Sequence, residues 1–263
     1  MLVTVATIHN YMKILSMATD DSYFKMYQAF LKSTNFREVF AANMNNFPKL
    51  DSVRSCLSIG TGPGEDEVAF MKHCAPNISK FLAVEPDHES VEHLRTSLTT
   101  SLPGVESQVF ETTLQNWEGP SDPVDLILMF GVMYYFEADE RLELFKKLHD
   151  RWLTSGGYVA IISESRTESG SGEKIFERLG KPSPPWRDME TDLQAAGFNK
   201  LNAHEMPHQR DVTDESSLRF YQYSGRIGVS EMTLDHIRNV LRELYPNGKA
   251  DAFVTLAVFG RMN

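Results

Sequence analysis

Alternating glycines and a run of acids follow a short apolar segment near residue 60. The glycines are Gly60, Gly62 and Gly64, Thr61 stands between the first two, and the acids occupy residues 65–67. Glycine at alternate positions permits a tight turn and lets the backbone approach a ligand closely. A strand, this turn and a following helix would therefore form a binding loop of the nucleotide type.

The acids indicate which ligand the loop suits. The dinucleotide fingerprint needs glycine at its sixth position, where this chain has Glu65. A dinucleotide also rests its pyrophosphate on the positive end of the next helix, and three carboxylates there would repel it. S-adenosylmethionine (SAM) has no phosphate and carries a sulfonium and an ammonium cation. The loop is therefore predicted to bind SAM.

Another carboxylate stands at the end of the next apolar segment. Glu85 follows Lys80–Val84 and precedes Pro86. In doubly wound folds this strand end lies beside the ribose of the ligand, and a carboxylate accepts hydrogen bonds from both hydroxyls. The alternative is a solvated acid at a strand end, and the glycine loop upstream favours the ribose role.

Two further strand ends complete the candidate cofactor site. Thr112 and Thr113 follow the third strand, where they either hydrogen-bond the adenine edge or form an ordinary polar loop. Phe130 and Gly131 end the fourth strand: the ring packs either on adenine or in the core, and the glycine leaves room for the methyl donor. Parallel strands bring such carboxyl ends to one edge of the sheet, where these folds bind ligands.

The order of elements predicts how these residues are positioned. Apolar residues recur at helical spacing over residues 22–44, and residues 138–152 form an amphipathic helix ended by a glycine cap at residues 155–157. Helices alternate with five predicted strands, and two more strands lie near residues 200–206 and 253–259. We predict an α/β fold with a doubly wound, seven-stranded, mostly parallel sheet of Rossmann type.

The chain is predicted to form a single domain over residues 1–263. Residues 1–50 would be a helical cap, and insertions within residues 164–250 would form the substrate pocket together with it. No internal repeat or low-complexity tract interrupts this plan.

Composition limits the classes of molecule that the protein is expected to bind. The formal net charge is −10, and a field of that sign repels a nucleic-acid backbone. The sequence has no apolar stretch long enough for a membrane span and no secretory signal. Its two cysteines form neither a disulfide framework nor a four-ligand zinc site. We expect a cytoplasmic monomer that binds no metal, membrane or nucleic acid.

Four segments together resemble histamine N-methyltransferase, and the likeness covers most of the chain. They are Leu57–Glu65, Val84–Pro86, Glu111–Thr113 and Met133–Tyr135. The resemblance implies a class I methyltransferase that methylates an imidazole and releases S-adenosylhomocysteine. It also implies that the SAM site is lined by Gly60, Glu85, Ser90, Thr113 and Phe130, and the substrate site by Tyr23, Tyr134 and Tyr135.

Three polar substrate contacts of that family differ in this chain. A glutamine is replaced by Gly131, a glutamate by Asn35 or Phe36, and an asparagine near the last strand by Asp251 or Ala252. These changes favour an acceptor other than histamine.

Aromatic residues are the remaining candidates for the substrate site. Tyr23 and Tyr27 form either part of an aromatic box with Tyr134 and Tyr135 or a core stripe at helical spacing. Ring faces of this kind attract an aromatic ring or an alkylammonium, at about 0.5–2 kcal/mol each. Further candidates, which are alternatively core residues, come from the C-terminal insert: Trp186, Phe220 and Tyr223.

The predicted reaction is an in-line transfer of a methyl group to nitrogen. Such a transfer depends mainly on orientation, so we assign no catalytic acid, base or nucleophile and give Tyr134 and Tyr135 the orienting role. Two alternatives stay open. One is a methyltransferase that acts on protein side chains, and the other is a non-catalytic SAM-binding regulatory protein.

Overall fold

The computed structural model describes residues 22–165, 171–180, 186–225 and 232–262, which contain one seven-stranded sheet. The strands lie in the order β3-β2-β1-β4-β5-β7-β6. Their ranges are β1 Ser55–Ile59, β2 Lys80–Glu85, β3 Glu106–Glu111, β4 Val124–Phe130, β5 Leu153–Glu164, β6 Phe198–Asp211 and β7 Lys249–Arg261.

Strands β1 to β5 pair in parallel, and β7 pairs with β5 in the antiparallel direction. The sheet is thus mostly parallel and doubly wound, and the predicted fold class is confirmed. The order reverses at β1, which lies between β2 and β4, so the ligand edge of this fold is the one where β1, β2 and β4 end.

Helices and short helical turns connect the strands. The α-helices are α1 Tyr23–Lys32, α2 Phe36–Asn43, α3 Glu65–Cys74, α4 His88–Ser101, α5 Ala138–Lys147, α6 Ser171–Arg178, α7 Trp186–Ala195, α8 Glu215–Gly225 and α9 Leu234–Leu244. Asp87 caps α4 as predicted, since its carboxylate accepts a hydrogen bond from the Ser90 N–H at 2.9 Å. Within residues 22–44, where helical spacing was predicted, the structure has two helices, α1 and α2.

The centre of the sheet is apolar because β4 is covered on both faces. Six of its seven residues are buried, and Asp125, near its start, is the exception. Around it packs a core cluster that includes Leu57, Ile127, Phe145 and Phe259, each fully buried. A nearly continuous apolar run is what a central parallel strand requires.

The predicted glycine cap after residue 152 is wrong. Helix α5 ends at Lys147 and continues as one π-helical stretch, Leu148–Trp152. Residues 155–157 belong instead to β5, where the register with β4 shifts between the Val124 and Leu126 pairs. The glycines therefore serve a strand irregularity, a role that glycine also fills.

The chain divides into two compact units. The sheet unit comprises Arg37–Arg166, Pro184–Met206 and Val254–Asn263, and the helical unit comprises Met1–Phe36, Thr167–Ser183 and Pro207–Phe253. Helices α1, α6, α8 and α9 belong to the helical unit, which has its own apolar cluster around Ile175, Tyr221 and Ile237.

Candidate functional site

The loop after β1 takes the conformation that its glycines allow. Gly60, Gly62 and Gly64 have φ angles of 63°, 55° and 79°, all in the left-handed region that favours glycine. A Cβ on Gly60 would lie 2.5 Å from Cγ1 of Val132, so this position has room only for hydrogen. At Gly62, by contrast, a Cβ would meet no described atom within 4 Å. The loop is a turn whose middle faces open space.

Glu85 closes the loop from the neighbouring strand. The Gly62 N–H donates to its Oε2 at 2.7 Å, and the Asp87 N–H donates to its Oε1 at 2.9 Å. The side chain is almost fully buried, and burial raises the pKa of Glu85 to about 7, against the opposing effect of the two backbone donors. Each oxygen keeps a lone pair, so the carboxylate retains capacity to accept from ligand hydroxyls.

The other predicted cofactor residues lie on the same edge. Pro86 follows Glu85 directly, and the Thr112 N–H donates to the Glu85 carbonyl at 3.2 Å. Thr113 precedes a short 3-10 helix, and both threonines are half-buried. Ser90 is fully buried in the first turn of α4, and its Oγ has no hydrogen-bond partner among the described residues.

The acids at the start of α3 have different surroundings. Glu67 is buried, and burial raises its pKa well above the ordinary value, with the charge of Asp66 adding to the effect. Glu65 and Asp66 both pair with Arg37, at 3.1 Å and 3.3 Å. Arg37 therefore offsets part of the negative charge that the sequence places at the start of α3. The only sequence signal was a cation on the helix that precedes β1.

Phe130 and Gly131 end β4 at this edge. The Phe130 ring packs edge-on against Phe40 and Phe70, with ring centroids 6.3 Å and 5.6 Å away, and the residue is buried. These contacts are those of the core alternative. Gly131 is exposed with a φ of 66°, and a Cβ there would meet no described atom within 4 Å. The role of this space in holding the methyl donor stays a prediction.

The tyrosine pair lies on the turn that follows Gly131. Tyr134 and Tyr135 are half-buried residues of a 3-10 helix, Met133–Tyr135, and their ring centroids are 4.3 Å apart with the planes tilted by 45°. Both belong to the sheet unit, as do the glycine loop and Glu85. The structure thus brings the predicted tyrosine pair to the end of the strand that neighbours β1.

Trp186 and Asp251 are the remaining candidates on the C-terminal half of the chain. Trp186 starts α7, is half-buried, and packs beside Phe259 of β7 with a centroid separation of 6.4 Å. Asp251 is exposed on β7, in the part of that strand that belongs to the helical unit, 3.5 Å from the Gln209 amide.

The aromatic residues of the helical unit form a cluster of their own. Tyr23 and Tyr27 stack at 5.9 Å with nearly parallel rings, and Tyr27 lies 6.2 Å from Phe220. Phe220 is buried and stacks on Phe30 at 3.9 Å, which is a core contact. Tyr223 lies in α8, but its side chain is outside the described residues. The substrate roles of these four candidates stay predictions.

The sheet edge fits SAM on several independent grounds. The glycine loop leaves space at Gly62, Glu85 keeps acceptor capacity, and the buried Ser90 hydroxyl has no described protein partner.

Within the described ranges no cluster of three or more His, Cys, Asp or Glu side chains would hold a metal ion. Over the same ranges no helix is both long and apolar enough to cross a membrane.

Comparison with known proteins gives the family. The family described as "Methyltransferase domain" matches residues 30–205, and the chain belongs to it. No curated protein sequence matches this chain. The protein is a class I SAM-dependent methyltransferase.

Solved structures agree on the fold at low sequence identity. A Bacillus halodurans protein assigned as a methyltransferase is 14% identical, covers 85% of this chain and 99% of its own, and has a TM-score of 0.60. The geranyl diphosphate C-methyltransferase of Streptomyces coelicolor, with S-adenosylhomocysteine bound, is 14% identical over 86% of this chain and 77% of its own, with a TM-score of 0.54. StiE O-MT is 15% identical over 86% and 74%, with a TM-score of 0.52.

Proposed function

We propose that this methyltransferase transfers the SAM methyl group to a nitrogen of a small imidazole or amine. The supporting observation is the half-buried pair Tyr134–Tyr135, which stands three residues after the exposed Gly131 on the ligand edge of the sheet. Aromatic faces attract an imidazole ring or an alkylammonium group. The histamine N-methyltransferase resemblance, carried by the same residues, supports a nitrogen acceptor.

The main task of the protein in this reaction is to orient the acceptor nitrogen toward the methyl group. SAM supplies a methyl group on a positively charged sulfur; the nitrogen lone pair forms the new N–C bond, and the electrons of the broken S–C bond stay on sulfur. Holding the acceptor in line is worth up to about 7–11 kcal/mol in well-ordered cases. Tyr134 and Tyr135 are assigned this task, and a neutral imidazole can release its other proton to water after transfer.

The charge and cysteines support the accompanying assignments. A net charge of −10 suits neutral or cationic acceptors rather than nucleic acid. Cys56 and Cys74 are both free and buried, which agrees with a reducing compartment such as the cytoplasm. We propose that the protein acts on a small molecule; its monomeric state stays a prediction.

The test is a methyl-transfer screen that reads out S-adenosylhomocysteine. Histamine, histidine, carnosine and arylalkylamines form the nitrogen panel, and phenols, carbon acids and a peptide library form the comparison panels. We expect turnover with the nitrogen panel. Turnover confined to another panel overturns the nitrogen assignment, and tight SAM binding without any turnover identifies a regulatory SAM-binding protein instead.

Variants of the tyrosine pair test the site itself. Tyr134→Ala and Tyr135→Ala should each lower kcat/KM for the nitrogen acceptor by roughly tenfold, because each removes one aromatic face. The matched Tyr134→Phe and Tyr135→Phe variants keep the faces and should stay near wild type. SAM affinity, measured by calorimetry, should stay constant in all four. Equal losses in the Ala and Phe variants would instead assign the effect to the hydroxyl groups.

A further inference from the structure

A cation lies against the acids that follow the glycine loop. Arg37, near the start of α2, donates from Nη2 to Glu65 Oε2 at 3.1 Å and from Nε to Asp66 Oδ1 at 3.3 Å. On the other side, His93 Nε2 of α4 lies 3.2 Å from Glu65 Oε1. These contacts surround the first turn of α3, directly after the loop that binds the cofactor.

Contacts of the segment that follows Arg37 hold α2 beside α3. Phe40, about one turn further along α2, packs edge-on against Phe130 at the end of β4. Beyond α2, the Leu50 N–H donates to the Cys74 carbonyl at the opposite end of α3, at 2.6 Å. The segment from Arg37 to Leu50 therefore contacts α3 at its first turn and at its last residue, and the guanidinium lies beside the loop.

The charge of this cluster matters for one part of the cofactor. SAM carries a carboxylate in addition to its two cations, and a helix start after a glycine loop is where the anionic group of a ligand binds. Uncompensated acids at Glu65 and Asp66 would repel that carboxylate. The side chain of Asp66 is only 14% exposed, so water screens its charge poorly and a nearby cation has more effect.

We propose that Arg37 is a positioning residue of the SAM site that compensates Glu65 and Asp66 and so lets the loop accept the SAM carboxylate. The proposal rests on the cofactor of the family and is independent of the acceptor. It predicts a selectivity: loss of Arg37 weakens ligands that carry the carboxylate and spares ligands that lack it.

The test compares SAM with decarboxylated SAM, which keeps the sulfonium and the ammonium. We expect Arg37→Met to weaken SAM roughly tenfold in calorimetric titration, about the value of one charge-assisted interaction. Decarboxylated SAM should bind the variant as well as wild type or more tightly, because its ammonium is attracted to acids that Arg37 no longer offsets. Arg37→Lys keeps the charge and should restore most of the SAM affinity.

Two further variants serve as controls. Arg95→Met removes a surface cation that pairs with Glu92 on α4 at 2.7 Å, with the same change in net charge, and should leave both affinities unchanged. Adding Glu65→Gln and Asp66→Asn to Arg37→Met should restore SAM binding. Equal losses for the two ligands, or no loss for SAM, overturn the proposal.

If Arg37→Met fails to fold, a second variant still tests the proposal. The Glu65→Gln/Asp66→Asn double variant leaves Arg37 without these two acids beside the loop. It should raise the preference for SAM over decarboxylated SAM by several-fold. An unchanged or reduced preference overturns the proposal just as clearly.

Discussion

Two carboxylates at opposite edges of the same sheet show how surroundings separate a structural acid from a candidate ligand-binding acid. Asp125, near the start of β4, accepts from the N–H groups of Arg54 and Ser55, from the Ser55 hydroxyl and from the Thr154 hydroxyl, at 2.9–3.1 Å. Partial burial disfavours its ionised form, but these donors outweigh burial and lower the pKa of Asp125.

Glu85, at the other edge of the sheet, accepts from fewer donors than Asp125 and is more deeply buried. Only the Gly62 and Asp87 N–H groups donate to it among the described contacts, and burial raises its pKa to about 7. The difference teaches a general point. A carboxylate saturated by the protein holds strands together, whereas an unsaturated buried carboxylate gains most from the hydroxyl groups of a ligand.

The largest expected effect comes from replacing each carboxylate with alanine, which should affect SAM binding at Glu85 and stability at Asp125. Glu85→Ala should weaken SAM binding by about 1.5–3 kcal/mol, the value of hydrogen bonds to a charged group, with a modest change in stability. Asp125→Ala should leave SAM binding nearly unchanged and lower the free energy of unfolding by about 1–3 kcal/mol, because the backbone N–H groups of Arg54 and Ser55 lose their acceptor. Calorimetry and urea unfolding of both variants measure this. Similar binding losses in both would erase the distinction.

The next effect is a pH dependence of opposite sign at the two sites. Because the pKa of Glu85 in the folded protein is about 7, above its ordinary value, its contribution to stability is present at low pH and is lost as pH rises through about 7. The lowered pKa of Asp125 gives stability at neutral pH that is lost as pH falls through its folded pKa.

Unfolding of wild type, Glu85→Gln and Asp125→Asn from pH 3 to pH 8 tests these signs. SAM affinity should fall by up to about tenfold per pH unit below pH 7, because binding then requires ionisation of Glu85. A Glu85→Gln variant whose SAM affinity keeps the wild-type slope would show that another group, such as Glu67, is responsible.

The smallest effect compares two glycines on the two edges. Gly62, in the cofactor loop, and Gly104, in the turn before β3, both have positive φ, and a Cβ on either meets no described atom within 4 Å. Alanine at either position should cost about 1 kcal/mol of stability through backbone strain. Only Gly62→Ala should also weaken SAM binding, since its Cβ enters the ligand space. Equal SAM affinities in the two variants would contradict this placement of the cofactor.

The sequence was sufficient for features that depend on local pattern. The apolar run of β4, the glycines of the loop and the Asp87 cap each follow from residues close together in the chain, and the structure has all three. The doubly wound, mostly parallel sheet followed from the alternation of strands and helices, since parallel crossovers leave few arrangements, whereas the strand order was not predicted.

Features that depend on contacts between residues far apart in the sequence could not be predicted. Residues 155–157 have the composition of a helix cap, but pairing with β4 draws them into β5. Arg37 resembles any exposed cation on an amphipathic helix until α2 is packed beside α3. The burial of Glu67 likewise depends on which face of α3 meets the sheet, which a weakly amphipathic segment does not specify.

The antiparallel pairing of β7 with β5 has a consequence for synthesis of the chain. Tyr158 pairs with Gly260, so during translation this side of β5 stays unpaired until the chain has emerged as far as Gly260. Until then β5 presents unpaired backbone groups on an apolar strand, which is a template for aggregation. Long-range pairing of this kind also slows folding, so the pairing of β5 with β7 is the step at which a chaperone would be most useful.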